Sequence, residues 1–75
     1  MLKLYGTMGC HLCDQAEVLI KQAEMARKFD WQYIDIALDE GLVARYGTRI
    51  PVLATEDNKE IGWPFSLLDI LSFTN

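Results

Sequence analysis

Cys10-His11-Leu12-Cys13 places two thiols two residues apart, and this is where the reactive chemistry of the chain concentrates. A pair so spaced can exchange two electrons with a disulfide or lend two thiolates to a metal. Disulfide attack needs a thiolate, so a working cysteine needs a stabilised negative charge. Gly6-Thr7-Met8-Gly9 ahead of the pair has the composition of a loop, and the pattern after it is helical. Cys10 therefore falls at a helix N-terminus, where unpaired backbone N–H groups and the positive end of the helix dipole favour an anion. Cysteines in such motifs have pKa values of about 3.5–7.5 against about 8.5 when free. Cys13 lies one turn further in and is less exposed, with its sulfur within reach of a small disulfide ring. Cys10 is thus the expected nucleophile and Cys13 the resolving thiol. His11 adds positive charge near the Cys10 sulfur when protonated, but the helix start disfavours that form. Thiolate tuning and an idle surface position both stay open for it. Structural zinc needs four ligands, and His11, inside the same motif, is the only other His or Cys, so no metal is expected.

Length and composition set the surroundings of that pair. With 75 residues the chain has room for one domain, over 1–75, and one core. Such a core buries about 60% of the surface that the unfolded chain exposes. Apolar residues make up 51% and charged residues 24%, which suits a globule and argues against disorder. The net charge of -4, with acids and bases interspersed, offers no basic patch for nucleic acid. Apolar runs are far short of the roughly 20 residues that span a bilayer. Gly6 interrupts the opening Met1-Leu2-Lys3-Leu4-Tyr5 before a signal-peptide apolar region develops. A cytoplasmic location is the expectation, and in a reducing compartment a C-x-x-C pair is catalytic or metal-binding more often than structural.

The elements that must position the cysteines follow from periodicity. Leu2-Lys3-Leu4-Tyr5 alternates as a strand and stops at Gly6. Leu12, Ala16, Leu19, Ile20, Ala23 and Ala26 form a stripe at helical spacing, with Asp14 and Glu17 in the first turns and Arg27 and Lys28 in the last. Trp31 to Ile36 is rich in aromatic and β-branched residues and predicts a second strand, parallel to the first through a right-handed crossover. Asp39 to Tyr46 predicts a short helix ended by Gly47, and Ile50 to Thr55 a third strand around Pro51. Glu56-Asp57-Asn58 is turn chemistry before a brief fourth strand at Lys59-Glu60-Ile61, so these two strands form a hairpin. The last helix opens either at Pro64 or at a Ser66 cap with Asp69 three residues on, and turns Leu67, Leu68 and Leu71, with Phe65, to the core. The sum is an α/β chain of order βαβ(α)ββα, a four-stranded mixed sheet with helices on both faces. Tyr5, Trp31 and Tyr33 are expected to be packing residues, and Asp35 an ordinary polar residue at a strand end.

Three segments resemble the glutaredoxin-like branch of the thioredoxin superfamily, in particular its small bacterial members: Leu4 to Cys13, running from strand to C-x-x-C; Thr48-Arg49-Ile50-Pro51-Val52; and Gly62 ahead of the last helix. The resemblance covers nearly the whole chain. It implies the thioredoxin fold, thiol–disulfide oxidoreductase activity through Cys10 and Cys13, and a cis Pro51 beside the sulfurs. It also implies that the Ile50 backbone is left free to pair strand-fashion with an extended peptide or thiol substrate. Arg49 is the cation it brings near the sulfurs, to hold a substrate carboxylate or favour the thiolate. Disulfide-containing proteins or small thiols are the implied partners, with no bound cofactor and glutathione or a reductase as electron donor. Members that use glutathione carry a second glycine and then an acid at the start of the last helix. Here Trp63 and Phe65 or Ser66 stand there, which alters the glutathione pocket and brings a thioredoxin-reductase-type donor into play. Trp63 and Phe65 are then either a partner-docking patch or lids on the core. An iron–sulfur or metal carrier using the same cysteines, and a non-catalytic interaction module, are the alternatives on this fold.

Overall fold

Leu2, Leu4 and Gly6 alternate with Lys3 and Tyr5, so the strand β1 (Leu2–Gly6) has two different faces. In the computed structural model, which describes residues 1–74, Leu2 and Leu4 are buried on one face and Tyr5 packs on the other. A loop leads from β1 to α1 (His11–Ala26), followed by β2 (Trp31–Asp35) and a 3-10 turn at Ile36–Leu38. The chain continues through α2 (Glu40–Tyr46), β3 (Val52–Ala54), β4 (Glu60–Gly62) and α3 (Leu67–Phe73). The four strands lie in the order β2-β1-β3-β4. β1 and β2 are parallel, joined by α1, whereas β1 with β3 and β3 with β4 are antiparallel. This is the expected mixed sheet, and its fold is thioredoxin-like.

Helices cover both faces. Ala16, Ile20 and Ala23 of α1 and Ile70 of α3 close over Leu2, Leu4, Leu53 and Phe65. On the other face Tyr46 of α2 packs with Ile36 and Val52, flanked by Tyr5, Leu42 and Ile50. The alternation of Val52 and Leu53 to opposite layers shows β3 serving both cores.

Several boundaries differ from expectation. The buried face of α1 is Cys13, Ala16, Ile20 and Ala23, so Leu12 and Ala26 fall on its exposed side. Cys13 is therefore part of the apolar stripe, three residues before Ala16 on the same face of a helix that starts at His11. Arg27 is the C-cap rather than a last-turn cation, and its guanidinium donates to the Leu71 carbonyl at 3.3 Å, tying α1 to α3. Ile36 leaves the sheet because the Asp35 carboxylate accepts from the Ala37 N–H at 3.0 Å, capping the 3-10 turn. α3 is opened by Ser66, not Pro64, through a reciprocal capping box with Asp69. That choice rotates Leu68 into solvent, 76% exposed, and buries Ile70 instead.

Glu60 on the edge strand β4 gathers a polar cluster. It accepts from the Tyr46 hydroxyl, from Arg49 at 3.3 Å and from Arg45 at 3.5 Å. The Tyr46 bond above all, aided by both guanidiniums and opposed by partial burial, holds the Glu60 carboxyl below its ordinary pKa. Burial first, then the bond to Glu60, pushes Tyr46 up to about 12. A carboxyl lowered on folding adds stability that is complete above the unfolded value and is lost as pH falls through the folded one. Wild-type protein is therefore expected to outlast Glu60→Gln in urea at neutral pH, with the two curves converging as pH falls below the ordinary carboxylate range. A pH-independent gap between them would show that Glu60 stays unlinked to protons. At the other extreme a raised Tyr46 predicts stability lost as pH climbs past about 10 towards 12.

Candidate active site

Cys10 is the N-cap of α1, with extended backbone at φ -89° and ψ 107°. Its Sγ accepts the Cys13 N–H at 3.1 Å, while its own carbonyl accepts the Asp14 N–H at 3.1 Å. One of the orphan donors of the helix start is thus aimed at the sulfur, the arrangement that stabilises a thiolate. Gly9 has φ +77°, a left-handed turn that a glycine takes without strain, and it delivers the chain into that cap. Cys10 and Cys13 are joined as a disulfide, with Cα atoms 5.2 Å apart. Cys10 is half-buried, whereas Cys13 is sealed at 0% exposure. The sulfurs neither diverge nor are both enclosed.

The loop before Cys10 is pinned by β2, and the sequence reading missed this. The Thr7 carbonyl accepts the Tyr33 hydroxyl at 3.2 Å and the Cys10 N–H at 3.4 Å. The Thr7 hydroxyl donates to Asp35 at 2.9 Å. Tyr33 and Asp35 are therefore not mere packing and strand-end residues, since both hold the loop that leads into Cys10. Their role depends on the parallel register Leu4↔Tyr33 and Gly6↔Asp35, which brings the C-terminal end of β2 beside that loop. Gly6 belongs to the same group. A β-carbon there would lie 2.6 Å from the Tyr33 hydroxyl and 3.1 Å from the Cys13 sulfur. Burial first, then Asp35, Glu17 and Asp14, raise the Tyr33 pKa, so it stays a protonated donor.

The proline segment arrives at the same edge. The pairing Tyr5↔Val52 sets Pro51 level with Gly6, and the Ile50–Pro51 bond is cis, as the resemblance implied. Trp63–Pro64 is cis as well, and the Trp63 N–H donates to the Pro51 carbonyl at 3.1 Å. Three loops thus converge at one end of the sheet. The Ile50 N–H, however, donates to the Tyr46 carbonyl at 3.1 Å, so the expectation of a free Ile50 backbone is corrected on its donor side. The Arg49 guanidinium pairs with Glu60 and lies 5.5 Å from the Tyr46 ring centre, with about half of its side chain exposed. His11 is exposed at the first position of α1. Trp63 meets Phe65 edge-to-face at 5.1 Å, and Phe65 is buried in the core while Trp63 is half-buried beside it. Among the described residues no three His, Cys, Asp or Glu side chains cluster as a metal site would need, and no helix is long and apolar enough to cross a membrane.

A thioredoxin-like sheet with a capped C-x-x-C at its first helix defines the class. Residues 1–73 match the model of the glutaredoxin-like domain (DUF836), and the chain belongs to that family. It is 36% identical to target protein XcR50 from X. campestris, whose X-ray structure superposes with a TM-score of 0.83 over 96% of this chain and 92% of that one. The solution structure of XcR50 gives 37% identity and a TM-score of 0.78, covering 95% and 87% of the two chains. Protein Ne2328 from Nitrosomonas europaea is 28% identical, with a TM-score of 0.81 over 99% of this chain and 89% of that one. No curated protein matches the chain.

Proposed function

We propose that this protein is a cytoplasmic dithiol–disulfide oxidoreductase with Cys10 as nucleophile and Cys13 as resolving thiol. The observation that carries this is the asymmetry of the pair. The more accessible sulfur caps a helix and receives its N–H, while the partner in bonding reach is sealed from solvent. A Cys10 thiolate attacks a substrate disulfide, forms a mixed disulfide and releases one thiolate. The Cys13 thiolate then attacks the Cys10 sulfur, closes the ring and frees the second substrate thiol. Two electrons leave the protein in each cycle, and a donor must return them.

A reductase is the donor we favour over glutathione. Binding the ends of a tripeptide at the start of α3 would call on that helix's free amides and an acid. The Ser66 N–H already donates to Asp69 at 2.8 Å, and the Asp69 N–H to Ser66 at 3.1 Å. The capping box engages two of those amides and one oxygen of the carboxylate. With one model protein disulfide as substrate, turnover coupled to thioredoxin reductase is expected to exceed turnover coupled to glutathione and its reductase by about tenfold or more, the scale of losing one charge-assisted contact. Equal or faster turnover with glutathione would reverse the donor assignment. No turnover with either, together with an unreactive Cys10, would remove the redox function.

A further inference from the structure

Gly6, Tyr33 and Cys13 meet at one point. The Tyr33 hydroxyl and the Cys13 sulfur both lie within 3.1 Å of the position a Gly6 β-carbon would take, so the missing side chain leaves a space that both of them border. The environment of that sulfur is otherwise hostile to negative charge. Cys13 is fully buried, and burial raises a thiol's pKa. Its own N–H, the helix-start donor nearest to hand, is given to Cys10. Among the described residues no N–H or O–H group is hydrogen-bonded to the Cys13 sulfur. The charged groups bearing on this corner are anionic: Asp14 and Glu17 from α1, and Asp35 from β2. His11, on the same helix, is turned out to solvent. Yet the resolving step needs Cys13 as a thiolate.

We propose that Tyr33 is the positioning residue for that step: once the disulfide is reduced, its hydroxyl turns from the Thr7 carbonyl to the Cys13 sulfur and holds it as the thiolate that attacks Cys10. A phenol rotates its proton without moving its ring, and reduction of the disulfide frees the Cys13 side chain to turn towards it. Burial and these three carboxylates oppose charge on Tyr33, which keeps the phenol protonated and able to donate. The Thr7 carbonyl keeps the Cys10 N–H meanwhile. The inference rests on the dithiol reading above, and concerns its second half only.

The two halves separate in one stopped-flow experiment on the reduced protein with dithiobis(nitrobenzoate). The Cys10 thiolate attacks a reagent sulfur, forming a mixed disulfide and releasing one coloured aryl thiolate. Cys13 then gives its proton to solvent and its sulfur attacks that of Cys10. The ring disulfide forms and a second aryl thiolate leaves, with Tyr33 keeping its own proton throughout. Two electrons pass to the reagent. In Tyr33→Phe the first release is expected to slow only by what the lost Thr7 contact costs, so the first release is the internal reference for the second. The second is expected to slow about tenfold at neutral pH, its pH midpoint moving up by about one unit, as loss of a hydrogen bond to a charged sulfur predicts. The mixed disulfide should build up as added mass. A second release with wild-type rate and midpoint would overturn the proposal. Equal slowing of both releases would overturn it too, by showing that Tyr33 only holds the loop. A wild-type protein that releases one equivalent and never a second would instead sink the dithiol reading itself.

Discussion

Cys10→Ser is expected to lower disulfide reduction by at least about a thousandfold, to the uncatalysed background, the scale seen when a nucleophile is removed from a group that acts as a unit. The geometry makes this substitution unusually clean. Position 10 is the N-cap of α1, and serine is a preferred N-cap residue whose oxygen can accept the same Cys13 N–H. The reduced Cys10→Ser protein should therefore melt no lower than reduced wild type, so that lost activity reports lost chemistry. Cys13→Ser should behave in the opposite way. It places a hydroxyl at a fully buried position and is expected to destabilise the fold by about 1–3 kcal/mol. It retains the first attack and traps the mixed disulfide, which mass spectrometry reads directly. Retained full activity in Cys10→Ser is the result that the assignment could not survive.

Gly6→Ala is expected to be the most disruptive single methyl group that can be added near the site. Its β-carbon would sit 2.6 Å from the Tyr33 oxygen and 3.1 Å from both Cβ and Sγ of Cys13. The first separation is shorter than any real contact. Relief is not easy, because the Tyr33 ring is stiff and its hydroxyl is bonded to the Thr7 carbonyl. Removing a glycine from the unfolded chain gains about 0.4–1 kcal/mol, whereas overpacking of this kind costs about 1–3 kcal/mol. A net loss near 1–2 kcal/mol lowers the melting temperature of so small a domain by about 4–8 °C per kcal/mol. The double substitution locates the clash. Tyr33→Phe removes the offending oxygen, so it should cost less in the Gly6→Ala background than in wild type, a coupling measurable by a thermodynamic cycle. If Gly6→Ala melts with wild type, the close packing of Tyr33 on Cys13 is not a constraint on the fold.

Most of the architecture was legible in periodicity and punctuation. Leu2 and Leu4 alternating with Lys3 and Tyr5, the apolar stripe beginning near Cys10, and Gly47 after a short helix all describe local preferences that packing then rewarded. Errors fell where two local solutions compete and only packing arbitrates. At the start of α3 both Pro64 and Ser66 were chemically sound openings, and the choice between them moved Leu68 out and Ile70 in. Ile36 has the composition of a strand residue, but the Asp35 carboxylate offered the following backbone a turn instead.

The site divides in the same way. Spacing and helix polarity were enough to single out Cys10 and Cys13 and to rank their exposure, because a C-x-x-C at a helix start is a local arrangement whose parts are neighbours in the chain. The surroundings of those sulfurs are not local. Tyr33 and Asp35 reach the cysteine loop only through the parallel register of β2 on β1, from more than a turn of helix and a crossover away in sequence. Arg49 was drawn off to Glu60 on β4, and the Ile50 amide to the Tyr46 carbonyl, by pairings that no spacing rule anticipates. Which cysteine caps the helix and which is sealed inside it is written in the chain, whereas what surrounds the second sulfur had to wait for the strands to find their register.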